Sequence, residues 1–180
     1  MPADEPPVAP EYAKQLWTQS YASKPRIEGV QVVELKRFVE DGGEFQELCR
    51  LGPGAELQGV PGFTVKQVNY SILQPGCIKA WHLHKVQEDV WFVPPNARLL
   101  VGLLDARQGK QGATMRMVLG DGRSQLLVIP RGVAHGVANP YPTPQPMLYF
   151  VNQAFDAAKP DEHRLPWDVL GKDFWQLQPG

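Results

Sequence analysis

The sequence predicts an all-β domain of the double-stranded β-helix type, the jelly roll, with short helices at its ends. Three observations carry that expectation: a succession of short strand-length runs, the 17 glycines and 18 prolines that punctuate them, and helical periodicity confined to the termini. The jelly roll is preferred among sandwiches because its mouth gathers side chains from strands far apart in the chain. With 180 residues, 43% of them hydrophobic and 21% charged, the chain suits one soluble globular domain with a substantial core.

The organisation expected is an N-terminal arm and short helix over 1–26, the jelly roll over 27–160, and a tail over 161–180 that packs on the barrel. Met1 to Pro10 holds four prolines and two acids, a composition that favours an extended arm. Glu11 to Ala22 offers Leu16, Trp17 and Tyr21 as a partly apolar helical stripe. A β-branched run from Gly29 to Phe38 meets Asp41-Gly42-Gly43, a hairpin composition, and continues through Glu44 to Arg50. Phe63 to Leu73 is the next strand. Its polar Gln67, Asn69 and Ser71 recur at period two and, taken alone, read as the solvated face of an edge strand. Short strands follow over 89–93, 97–105, 113–119, 125–129, 133–139 and 146–155. The tail, with Trp167, Leu170, Phe174 and Trp175, reads as a short helix or lid.

A formal net charge of -1 gives no electrostatic case for nucleic acid or anionic membrane as partner. No basic region followed by an apolar run, and no run of spanning length, supports secretion or membrane insertion, so the cytoplasm is the default. Two cysteines, Cys49 and Cys77, are too few for a disulfide framework.

The informative stretch is Gly76 to Glu88, with His82, His84 and Glu88 inside seven residues. Strand alternation puts Ile78, Ala80, His82 and His84 on one face, and Lys79, Trp81 and Leu83 on the other. Cys77 then has the wrong parity to join the histidines. A second segment, Ile129 to Asn139, adds His135. Alone, His135 reads as a buried histidine bonded to backbone; with Pro130, Gly132 and Asn139 in register it reads as a pocket residue. Neutral imidazole with a nearby carboxylate suits divalent transition metals, so His82, His84, Glu88 and His135 form a candidate metal set. Such ligands do not distinguish manganese, iron, nickel, copper or zinc, and no organic cofactor is implied.

The spacings Gly76, five residues, His82-x-His84, three residues, Glu88, and Pro130-x-Gly132, two residues, His135, three residues, Asn139, resemble the two motifs of the cupin superfamily. Pro94-Pro95 stands where the first motif usually ends in a turn glycine. From about Ile27 to Trp175 the chain also resembles the dTDP-4-dehydrorhamnose 3,5-epimerase family. The matching features keep their order: Asp41-Gly42-Gly43-x-Phe45-x-Glu47, Gln67-x-Asn69-x-Ser71, Gly76 to His82, Asp105-x-Arg107, Pro130-x-Gly132-x-x-His135-Gly136, Leu148-Tyr149 and Trp167-Asp168. That resemblance implies a jelly-roll homodimer acting on a nucleotide-linked 4-keto sugar. It implies His82 as base, Tyr149 as acid, and Glu47, Gln67, Asn69, Lys79 and His135 as substrate-binding residues.

Departures from the family qualify the chemistry. Lys79 replaces an arginine that helps hold the diphosphate, exchanging a planar fork for a point charge. His84 replaces a glutamine, and Glu88-Asp89 lies near the place of an enolate-stabilising lysine. Exchanging a base for acids suits a site neutralised by a divalent cation, which would act as Lewis acid. The two uses of His82 compete, because a lone pair on a metal cannot also take a proton. Three functions are therefore weighed: a nucleotide-sugar epimerase or isomerase, a metal-dependent cupin enzyme such as a dioxygenase or other isomerase, and a non-enzymatic binding cupin with a relic pocket.

Overall fold

The computed structural model describes residues 6–22, 25–110 and 112–178. Twelve strands are found among them: β1 Gln31–Glu34, β2 Arg37–Glu40, β3 Gly43–Gln46, β4 Gln67–Leu73, β5 Ile78–Leu83, β6 Asp89–Phe92, β7 Arg98–Asp105, β8 Thr114–Gly120, β9 Gln125–Ile129, β10 Val133–Ala138, β11 Gln145–Val151 and β12 His163–Arg164. Two five-stranded antiparallel sheets, in the orders β1-β9-β6-β11-β4 and β12-β5-β10-β7-β8, form the jelly roll, and β2 and β3 make a separate hairpin.

The central strands read as continuous apolar runs because both of their faces are covered. Between the sheets lie Leu73, Trp91, Leu99, Val101, Leu103, Leu119, Leu127 and Met147. Outside the first sheet, Val90, Phe92, Leu126 and Phe150 meet Leu57, Val60 and Phe63 from the preceding loop. Outside the second, Trp81, Leu100, Leu104 and Ala134 meet Trp175. The Trp81 and Trp175 indoles both donate to the carbonyl of Trp167, at 3.2 and 3.0 Å.

The ends differ from expectation. Met1 to Glu5 of the expected arm lie outside the described residues. The N-terminal helix shrinks to Pro10–Ala13, and Leu16, Trp17 and Tyr21 are exposed, so this stripe finds no apolar partner to stabilise a longer helix. The run from Gly29 is divided, with β1 on the main sheet and β2 in the hairpin. In the tail a two-residue strand and a 3-10 turn, Lys172–Trp175, replace the expected helix. Backbone pairing of β12 with β5 satisfies this segment in place of helical bonds. Among the described residues no helix is long and apolar enough to cross a membrane.

Candidate active site

Strict alternation fails in β5, and the failure builds the site. His82 pairs with His135 and Lys79 with Val137, so three steps on β5 match two on β10. This bulge brings Lys79, expected on the opposite face, to the interior beside His82, and leaves Trp81 in the outer cluster.

Two rows of side chains then face one another. Asn69, Tyr149 and Trp91 stand in register on β4, β11 and β6, and Arg164, His82 and His135 stand in register on β12, β5 and β10. Residues opposite one another on neighbouring strands share a face. A cavity of about 430 Å³ takes in Ser71, Lys79, His82, His135, Tyr149 and Arg164. A second, of about 640 Å³, shares His84, Gln87, Tyr149, Phe155 and Glu162 with it and adds Gln67, Asn69 and Lys159. Gln67, Asn69 and Ser71 thus line the interior, while Val68, Tyr70 and Ile72 of the same strand are exposed. The polar face of β4 is thus turned to the cavities and the apolar face to solvent.

His82 Nδ1 lies 2.5 Å from Glu162 Oε1, and its Nε2 lies 3.0 Å from Arg164 Nη1. A carboxylate only accepts and a guanidinium only donates. The proton therefore sits on Nδ1, and the Nε2 lone pair accepts from Arg164 at the cavity wall. Burial pushes the Glu162 carboxyl up, but the hydrogen bond from His82, with His84 and Arg164 nearby, holds it below the usual range. Glu162 and Arg164 were not singled out as site residues from the sequence, where only their neighbour His163 drew attention, as a surface residue. Their period-two spacing about His163 is the signal that could have placed both on one face.

Behind His82 lies a buried group. His84 Nδ1 donates to the carbonyl of Asp161, and His135 Nδ1 donates to that of Val133 at 3.0 Å. Their Nε2 atoms approach the Asp89 carboxylate at 3.9 and 3.7 Å. Asp89 also accepts from Gln87 at 2.8 Å and Trp91 at 3.0 Å. Burial, opposed by Asp89 and reinforced by His84, lowers His135 to about 4, which keeps its imidazole neutral near pH 7. Tyr149 is driven the other way: burial, then the charges of Asp89 and Glu162, raise its phenol. It therefore stays protonated.

Two expected residues are elsewhere. Glu88 turns to Asn152, bonding it through backbone N–H at 2.8 Å and through Oε2 at 3.3 Å. Asp89 instead joins His84 and His135, with ligand atoms within 4.8 Å of one another, because strand parity sends residues 89 and 91 inward. Glu47 lies just beyond β3, pairs with Arg50 at 2.6 Å, and is outside both cavities. Lys79 donates to Ser71 at 2.9 Å, and Gln67 donates to Asn69 at 2.6 Å.

No family model matches the sequence. The chain is 38% identical over 144 residues to the spore coat polysaccharide biosynthesis protein SpsL of Bacillus subtilis, covering 79% of this chain and 91% of that protein. It is 30% identical over 146 residues to the probable low-salt glycan biosynthesis epimerase Agl13 of Haloferax volcanii, covering 80% and 90% respectively. Among solved structures, the dTDP-6-deoxy-D-glucose-3,5-epimerase RmlC of Legionella pneumophila superposes with a TM-score of 0.70 at 20% identity, over 86% of this chain and 82% of that one. At that identity the superposition speaks for the cupin jelly-roll fold.

Proposed function

The chain belongs to the family of the polysaccharide and glycan biosynthesis proteins SpsL and Agl13, and from that premise we propose that it is a cupin epimerase acting on a 4-keto nucleotide sugar in polysaccharide or glycan biosynthesis. The observation that carries the assignment of roles is the Glu162–His82 pair, which leaves Nε2, now accepting from Arg164, as the proton acceptor on a cavity that Tyr149 lines from the opposite sheet.

In the proposed reaction His82 Nε2 takes the proton from a carbon beside the ketone. The C–H electron pair moves to form the C=C bond, and the carbonyl pair moves onto oxygen, giving an enolate. Tyr149, kept protonated by its surroundings, returns a proton to carbon from the other face. Glu162 holds the imidazole in the tautomer this requires and stabilises the imidazolium as it forms. Lys79, Gln67, Asn69 and His135 are the proposed contacts to substrate. The test is exchange of solvent deuterium into the sugar, over a panel of dTDP-, UDP- and CDP-linked 4-keto-6-deoxy sugars. Absence of exchange with every member would reject the reading.

A second reading adds a divalent transition metal held by His84, Asp89 and His135 in place of the expected set with His82 and Glu88. It is supported by two neutral-capable Nε2 atoms and a carboxylate converging within 4.8 Å, each imidazole being fixed by a backbone carbonyl at Nδ1. Such an ion would supply Lewis acidity toward the ketone, while His82 stays free as base. Full activity in protein shown by elemental analysis to be metal-free would exclude it.

The homodimer is also proposed, supported by the exposed Val68, Tyr70 and Ile72 on β4, an edge strand of its sheet. Sedimentation showing a monomer at micromolar concentration would reject it. A cytoplasmic location is proposed from the kind of substrate.

A further inference from the structure

Proton removal beside a ketone needs a cation or donor at the new oxyanion, and the carboxylates that line this cavity, Asp89 and Glu162, cannot supply one. We propose that Arg164 fills this role: its guanidinium is the enolate-stabilising group of the site, parked on the catalytic base until substrate displaces it. The inference rests on the epimerase reading given above.

Several independent observations converge on Arg164. Its backbone pairs directly with His82, and two-residue alternation places it on the same face as Glu162. Its Nη1 occupies the Nε2 lone pair at 3.0 Å, the position a substrate C–H must enter. Its Nε is 3.1 Å from Glu162 Oε1, so the same carboxylate anchors both base and guanidinium. The carbonyl oxygen of a substrate lies one bond beyond the carbon that loses its proton. An arginine that yields the lone pair while keeping Glu162 needs only a short swing of its Nη groups to meet that oxygen. Its side chain is half exposed, which leaves room for the swing. The competing cation, Lys79, is engaged with Ser71; Lys159 lines the neighbouring cavity.

The geometry also accounts for a conflict in the sequence. A site lined by carboxylates looks unable to stabilise an enolate, yet a charge supplied from β12 restores the balance. It does so from a segment far along the chain from both histidine motifs.

The test compares wild type, Arg164→Gln and Arg164→Lys for solvent deuterium exchange into the panel sugar that the wild type turns over, and for binding of the matching nucleoside diphosphate alone. Loss of one oxyanion donor predicts a fall of about a hundred- to a thousandfold in kcat for Arg164→Gln, with partial recovery in Arg164→Lys and diphosphate affinity held. Wild-type exchange rates in Arg164→Gln would overturn the inference. So would a loss confined to KM and diphosphate affinity, which would make Arg164 a phosphate anchor. A wild-type chain that exchanges no panel sugar rejects the epimerase reading itself, and the role of Arg164 with it.

Discussion

In the apolar part of the barrel interior, Leu73 and Leu99 have no exposed surface and Leu119 has 1%, whereas at the mouth His82 and Glu162 keep 24% and 35% of their side chains accessible. The first region is held by burial, which is non-directional and spread over many neighbours. The second is held by a few directed bonds, and most of them come from one short strap, residues 161–164. Asp161 accepts from the backbone N–H groups of Lys85, Val86 and Gln87 at 2.9, 2.8 and 2.8 Å, and its own carbonyl holds His84. The difference teaches that stability and reactivity are built from separable parts of the sequence.

Breaking the mouth without touching the core has the largest expected effect. His82→Asn should lower the exchange rate by about a hundred- to ten-thousandfold, with a melting temperature close to wild type; an active variant would contradict the assignment of the base. The opposite cut is Leu99→Ala. A cavity among fully buried side chains costs about 2–5 kcal/mol, read as a lower urea midpoint, while the rate per folded molecule should hold.

Asp161→Ala sharpens the comparison because it loosens the strap and frees three backbone donors. It should cost about 1–3 kcal/mol and also lower kcat, so this one change should move both readouts. The smallest effect belongs to a clamp outside the site. Arg107 grips Asp105 through Nε at 2.8 Å and Nη2 at 2.6 Å, and this bond, against the opposing influence of burial, holds the Asp105 carboxyl below its ordinary value. Its stabilising contribution is complete above the unfolded value of 3.8 and is lost as pH falls through the lower folded value. Asp105→Asn should therefore be about 1–2 kcal/mol less stable at neutral pH. The gap between the two proteins should close across that acid window in urea titrations at stepped pH, with the exchange rate unchanged.

Much of this was legible in the chain itself. The glycine and proline punctuation and the short apolar runs correspond to the strands found, and the histidine spacings brought His82, His84 and His135 to one place. The bulge in β5 was not legible, because an inserted residue leaves no mark on an alternation only a few residues long; Lys79 was therefore put on the wrong face. Asp89 was passed over for its neighbour Glu88, a choice that strand parity decides and motif spacing does not. Glu162 and Arg164 sit in a charged tetrad, Asp161-Glu162-His163-Arg164, whose composition looks like any solvated loop. Only pairing with β5 gives it direction. On β4 the polar Gln67, Asn69 and Ser71, which alone read as a solvated face, line the interior.

On the outer face of the second sheet, Gly102 and Gly136 leave a hollow beneath the tail. A methyl group on Gly102 would come within 2.5 Å of Phe174, 2.7 Å of Trp175 and 2.8 Å of Trp81, and one on Gly136 within 2.5 Å of Ala80. These two backbone positions and the aromatic rings over them form a lock and its wards, so neither half can drift by itself over evolutionary time. Lineages that acquire a side chain at Gly102 should be those that have also traded the large rings for smaller ones, and an aligned set of sequences would display the two changes together.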